Sequence, residues 1–297
     1  MEEELRRAAF GDSPDLPVWP ALSSPSSRVR WLAAVVLGGQ GHYAAAATAL
    51  DVLRHDRDPV IASLALSTRA SHHRQLGAHH LARALDGAAL ARVRPAAGTD
   101  PDGVDAAGAR TDALLGLAAD SLGAGRLGEA RRLLAAVEPA GWRAEVRRGW
   151  VTAEVELASG NAAAAVAPAE QAHRVAVEKE ALRHELKSAL VLGTSLVVWG
   201  TPDGLKRGSE LIECELNHSA AKGLHPLVWP SALVLAGDAA RGGEGGGKRA
   251  AEALSCVLRR ADPVGRGVAL ESPWMPTGLL RSGEPPNADP QTNFLTD

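Results

Sequence analysis

The sequence predicts an all-α protein built as a solenoid of about five to six antiparallel helix pairs. Apolar residues recur with helical spacing through most of the chain, and glycines interrupt that pattern at regular intervals. Gly41, Gly77, Gly125 and Gly160 lie 36, 48 and 35 residues apart, and each is followed five residues later by an alanine. A period of about 34 residues is typical of stacked helix pairs. The glycines therefore mark the turn within each pair.

The helices are predicted on either side of these turns. In the first pair, Val29, Leu32, Ala33 and Val36 form one apolar stripe that ends at the glycines before Gly41. The remaining stripes follow the same logic, with a cap and a first-turn proline opening the second pair. The predicted pairs are 28–38 with 43–53, 58–76 with 78–92, 142–159 with 161–179, 182–199 with 205–221, and 227–240 with 248–261, with a third pair around Gly125.

Three segments depart from the helical pattern and divide the chain. Residues 1–27 are a Pro- and Ser-rich lead-in with at most a short helix, and residues 28–261 are the helical repeat domain. Residues 94–108 contain two Pro, three Gly and three Asp, so they are expected to be a loop insertion that lengthens one period to 48. Residues 262–297 contain six prolines and are expected to be a mostly irregular tail, part of which is a candidate cap because Trp274 is apolar.

Composition excludes several classes of function. The net charge of -3 argues against nucleic-acid binding, which depends on a basic surface. Cys214 and Cys256 form no metal-binding or disulfide pattern, and no metal or other cofactor is predicted. The acidic N-terminus lacks the features of a secretory signal, and no apolar run reaches the ~20 residues that span a bilayer. We expect a cytoplasmic protein without a membrane partner.

The second helices resemble those of the tetratricopeptide repeat family. The turn glycine, the residue two positions later and the small residue five positions later match the family pattern in the first four pairs. The residues two positions after the glycines are Tyr43, His79, Leu127 and Ala162. The chain departs from the family where a first-helix Trp is expected, and Leu205 replaces the alanine of the fifth pair. The resemblance implies a right-handed superhelix whose first helices line a concave groove.

This resemblance also implies which side chains face the groove. Counting back from each turn glycine gives a set rich in Arg and Trp, the residue types that most often anchor protein interfaces. The candidate binding residues are Arg28, Trp31, Ser67, Ser71, Arg74, Arg147, Trp150, Glu154, Lys187 and Thr194. The alternative is that the tryptophans fill gaps between helices and the arginines are solvated.

The favoured function is a non-enzymatic adaptor or scaffold that holds a protein or peptide, with a preference for acidic partners. The alternative is a module that senses a small molecule or a short peptide and acts through a separate partner, because the first 27 residues are too few for a DNA-binding domain. The sequence does not predict the partner or the oligomeric state.

Three other motifs carry weaker hypotheses. Residues 242–248 match the spacing of a phosphate-binding loop, but Arg249 replaces the Ser or Thr that holds magnesium, so a connecting loop is favoured. Asp100, Asp102 and Asp105 lack the spacing of a calcium loop. The strongest metal-like cluster is His72, His73, His79 and His80, for which ordinary packed or surface histidines are the favoured interpretation. No catalytic residue is predicted.

Overall fold

The computed structural model describes residues 1–138, 141–237 and 245–282. Within these ranges the chain forms helices and no strand, so the all-α part of the prediction is confirmed. Consecutive helices pack against each other along the chain. None of the helices in these ranges combines the length and the apolar character needed to cross a membrane.

The helices correspond closely to the segments that periodicity and turn glycines predict. In chain order they are α1 (Glu2–Phe10), α2 (Ser27–Gly39), α3 (Tyr43–Leu53), α4 (Pro59–Gln75), α5 (His79–Arg92), α6 (Ala106–Gly123), α7 (Leu127–Ala135), α8 (Trp142–Ala158), α9 (Ala162–Glu178), α10 (Leu182–Trp199), α11 (Pro202–Ala221), α12 (His225–Gly237), α13 (Gly246–Arg259), α14 (Pro263–Glu271) and α15 (Leu279–Ser282). Helices α2 to α13 form six consecutive pairs, α2 with α3 through α12 with α13.

The turn glycines close the first helix of each of the first four pairs in the same way. All four have positive φ values, between 71° and 82°, a region that side chains with a Cβ rarely adopt. At the fourth turn, the Gly160 N–H donates to the Leu157 carbonyl at 2.9 Å and the Asn161 N–H donates to the Glu156 carbonyl at 2.8 Å. These two bonds satisfy carbonyls that the helix end leaves open. The recurring glycines therefore mark a recurring helix-ending motif.

The lead-in contains the short helix that the prediction allowed, and the described part of the tail is more helical than predicted. The lead-in forms α1, which buries Leu5 and Phe10 in the same apolar cluster as Trp31. In the tail, Asp262 caps α14 by accepting a hydrogen bond from the Gly265 N–H at 3.0 Å, and Pro263 occupies the first turn.

The insertion is also shorter than predicted. Asp105 accepts a hydrogen bond from the Gly108 N–H at 2.8 Å, so α6 begins at Ala106 and the last three residues of the predicted 94–108 loop are helical. The glycine-rich 242–248 motif lies partly outside the described residues, as does the tail beyond Ser282.

The C-terminal helices return to the N-terminal pairs. The Ala44 N–H donates to the Arg260 carbonyl at 2.8 Å, which joins the end of α13 to the start of α3. Trp229 of α12 lies in one apolar cluster with Tyr43 and Leu76, which belong to the first two pairs. The Ser272 hydroxyl donates to the Gly77 carbonyl at 3.0 Å. Because the last pair contacts the first two, the first helices of the pairs surround a common space.

Candidate functional site

A central cavity of about 150 Å³ lies between the first helices of all six pairs. Side chains from α2, α4, α6, α8, α10 and α12 line it, and Phe10 of α1 completes the wall. The inner helices contribute aromatic, aliphatic, polar and charged groups. Trp31 comes from α2, Asp112 from α6 and Trp229 from α12. The six pairs thus build one concave site with apolar and charged parts.

Eight of the ten predicted binding residues line this cavity. They are Trp31, Ser67, Ser71, Arg147, Trp150, Glu154, Lys187 and Thr194. The prediction that Arg28 and Arg74 face the groove is wrong, because neither residue lines the cavity. Arg28 lies 3.3 Å from Asp100 and is held by the inserted loop. The Arg74 guanidinium is 1% exposed and forms ion pairs with Asp86 and Asp120, so it stabilises the helix packing behind the wall.

The two predicted tryptophans are buried parts of the wall. The Trp31 indole N–H donates to the Thr68 hydroxyl at 3.0 Å, and the Trp150 indole N–H donates to the Ser188 hydroxyl at 2.7 Å. A buried indole needs such a partner for its N–H. These bonds fix the rings, so each indole both fills a gap between helices and forms a rigid surface of the cavity.

The charged part of the wall contains more cations than carboxylates. Arg143 and Arg147 hold opposite oxygens of Asp112, at 2.6 Å and 2.5 Å. Lys187 lies 3.4 Å from Glu154 on the same wall. With Arg183, the lining side chains in the described residues carry four cationic groups and the two carboxylates of Asp112 and Glu154. Charges in such low-dielectric surroundings interact more strongly than they would in water.

Two neutral histidines lie beside these cations. The His72 ring stacks on Tyr43 with the ring centroids 4.8 Å apart, and a side chain at Gly38 would overlap it. Burial, together with nearby Arg69, lowers the pKa of His72 to about 3. Burial and Arg183 hold the pKa of His184 well below its usual value. In the described part of the chain the Nδ1 atoms of His72 and His184 have no hydrogen-bond partner.

Two buried carboxyl groups lie behind the wall. Burial raises the pKa of Asp86 to about 7, against the opposing effect of Arg74. Burial also raises the pKa of Glu215 to about 7, although its Oε1 accepts a hydrogen bond from the Ser219 hydroxyl at 2.6 Å. Each group therefore keeps its proton in a part of the molecules at neutral pH.

The histidine cluster does not assemble into a metal site in the described ranges. No group of three or more His, Cys, Asp or Glu side chains there has the proximity needed to hold a metal ion. His79 lies 3.3 Å from Asp120 and packs edge-on against Trp274. In the inserted loop, Asp100 and Asp102 each lie 2.7 Å from the Arg6 guanidinium, so these carboxylates hold α1 in place.

Sequence reasoning missed several residues of the wall. Arg143 precedes Arg147 by one helical turn, and His184 precedes Lys187 by three residues, so the spacing of one helix face was the signal that would have found them. Trp229 was missed because the count back from turn glycines was applied to the first five pairs only, although Gly242 follows Trp229 by 13 residues. Its position in the wall depends on the return of the last pair to the first two.

Comparison with known proteins gives no relative from which to transfer a function. No protein-family model matches the chain, and no curated protein matches its sequence.

Proposed function

We propose that this chain is a non-catalytic binding protein whose central cavity takes up a compact acidic group. The observation that carries the proposal is the cavity itself, to which the first helix of every pair contributes side chains. Fixed indoles form its apolar part, and four cations with two carboxylates form its polar part. An apolar concavity with a few converging polar groups is the usual form of a ligand site.

The size of the cavity favours a small molecule or a single residue of a peptide. A cavity of about 150 Å³ in another protein accommodates benzene, whereas pockets for drug-sized ligands measure about 300–1,000 Å³. The cavity is partly open, and a space of about 150 Å³ holds no more than about one side chain of an extended peptide. We therefore favour the sensing module over the extended-peptide adaptor. If the chain is an adaptor, its partner would insert one acidic side chain into the cavity.

The proposal includes the family interpretation. We propose that α2 to α13 form a right-handed superhelix similar to tetratricopeptide repeats, and the lining of the cavity by first helices supports this interpretation. The repeated glycine turns support it as well. A cytoplasmic location and an absence of enzymatic activity, nucleic acid and membrane partners belong to the same proposal.

A thermal-shift screen of the full chain against small acids tests the proposal. The panel contains acetate, succinate, benzoate and N-acetylglutamate, each beside its uncharged amide. A ligand that binds the folded state raises the melting temperature. At a ligand concentration of 100 times its Kd, it adds about 2.7 kcal/mol to the free energy of unfolding. We expect at least one acid to stabilise the chain while its amide does not.

Matched variants assign the effect to the cavity. Arg147→Gln removes a lining cation, whereas Arg131→Gln removes an outer cation that lies 3.1 Å from Glu156. We expect Arg131→Gln to keep the stabilisation and Arg147→Gln and Trp150→Ala to lose most of it. Equal stabilisation in Arg147→Gln, or no response to any acid in the panel, would contradict the proposed site.

A further inference from the structure

The cavity concentrates the few aromatic residues of the chain. The whole sequence contains seven Trp, two Phe and one Tyr among 297 residues. Four of these ten aromatic side chains line a space of about 150 Å³, accompanied by two imidazoles. The flat groups of the wall are Phe10, Trp31, Trp150, Trp229, His72 and His184. A core built mainly from Ala, Leu and Val does not require this concentration, which is what a site for a flat ligand would need.

The flat groups already pack against one another in pairs. His184 lies nearly parallel to Trp150, with an interplanar angle of 20° and centroids 5.7 Å apart. Phe10 and Trp31 are tilted by 45° with centroids 6.0 Å apart. Centroid separations of 4.5–7 Å are those at which aromatic pairs attract each other. A flat ring in the cavity would contact side chains of the same kind.

Cations lie directly beside the flat groups. The Lys187 ammonium is 5.9 Å from the centre of the Trp150 ring, and the Arg143 guanidinium is 4.6 Å from the centre of the Phe10 ring. Arg143 also shares Asp112 with Arg147, so this part of the wall already binds one carboxylate between two guanidinium groups. A second carboxylate in the cavity would find charge-assisted donors next to an aromatic surface.

We infer that the ligand of this cavity is a small aromatic carboxylate, with its ring against Trp150 and its carboxylate near Lys187 and Arg147. The inference rests on the proposed function and names the chemical class of the acid. The volume of about 150 Å³ suits one six-membered ring with its substituent.

Calorimetric titration of the full chain with three probes tests the inference. Benzoate has the ring and the charge, benzamide has the ring alone, and cyclohexanecarboxylate has the charge with a puckered ring. We expect benzoate to bind about 3- to 10-fold more tightly than cyclohexanecarboxylate, which is the range that an aromatic pair contributes. The preference for benzoate over benzamide should be larger, because benzamide lacks the charge. Trp150→Leu should abolish the preference between the two acids, and Trp199→Leu, at an exposed position on the outer end of α10, should preserve it.

The outcomes separate this inference from the proposed function. If cyclohexanecarboxylate or succinate binds as tightly as benzoate and depends on Arg147, the acid site stands and the aromatic assignment is wrong. If benzamide binds as tightly as benzoate, the carboxylate assignment is wrong. If no acid binds, both proposals fail.

Discussion

Buried ionisable side chains around the cavity make the stability of the fold depend on pH. Glu215 lies behind Lys187, within the helix packing, and burial raises its pKa from 4.5 to about 7. The folded chain therefore keeps a proton at a pH where the unfolded chain has lost it. The free energy of unfolding that Glu215 contributes then falls as the pH rises from about 4.5 to about 7. The buried histidines act in the opposite direction, since the pKa of His73 is lowered to about 4 by burial.

Replacing Glu215 by Gln isolates this contribution. Glu215→Gln removes the titrating group while keeping its shape. The free energy of unfolding of the variant should therefore rise relative to that of the natural chain between pH 5 and pH 8, by up to about 3 kcal/mol. Urea unfolding at both pH values measures it. Glu210→Gln, at an exposed position of the same helix, is the control and should leave the pH dependence unchanged. A pH dependence in Glu215→Gln equal to that of the natural chain would contradict the buried, protonated carboxyl group.

Arg74 shows why single residues are harder to predict than helices. It stands three residues before Gly77, a register that the family resemblance assigns to the groove. Its guanidinium instead meets Asp86, 12 residues away, and Asp120, 46 residues away. Local spacing contains no information on such distant partners. Eight other candidates lie in the wall, on the helix faces that their register predicts.

At the scale of elements, helix ends follow from local chemistry, and one turn departs from the rule. The end of α9 has the same hydrogen bonding as the glycine turns, with the Ala181 N–H donating to the Ala176 carbonyl at 3.0 Å. The left-handed position, with a φ of 52°, is occupied by Glu180. Helices α9 and α10 were predicted from their apolar stripes. Their ends at this turn lie close to the predicted ones although the turn has no glycine.

The unusual residue at this turn predicts a stabilising substitution. Glu180 is exposed, so Glu180→Gly removes left-handed strain without loss of packing, and we expect stability to rise by about 0.5–1 kcal/mol. Denaturant unfolding measures the change. Gly160→Ala is the matched reverse, because its Cβ would meet no atom within 4 Å, and it should lose about 1 kcal/mol from backbone strain alone. A destabilised Glu180→Gly variant would show that the Glu180 side chain has another role.

At the scale of the whole molecule, contact between the two ends could not be predicted from the sequence. Repeat periodicity specifies neighbours along the chain, and it does not specify whether the last pair meets the first. The ends meet through long-range packing and hydrogen bonds, such as the Arg260 guanidinium donating to the Gln40 carbonyl at 3.3 Å across 220 residues. The cavity depends on this closure, because α12 provides part of its wall.

The closure predicts shared stability between the first and last pairs. Val257 of α13 is buried and packs beside the turn at Gly41. Val257→Ala should cost about 2 kcal/mol and reduce hydrogen-exchange protection in α3 as well as in α13. Val52→Ala, at an exposed position of α3, should change neither helix. Loss of protection in α13 with α3 unaffected would mean that the ends are not energetically joined.

The most direct test of the cavity as an acid-binding site is the NMR spectrum of the seven tryptophan indoles. Trp31, Trp150 and Trp229 line the cavity, whereas Trp19 and Trp199 are exposed on the outside. Titration of the indole-labelled chain with the acids of the thermal-shift panel should shift the three cavity resonances and leave those of Trp19 and Trp199 in place. If every acid leaves the cavity resonances unmoved, or shifts only the two outer ones, the cavity is not the binding site.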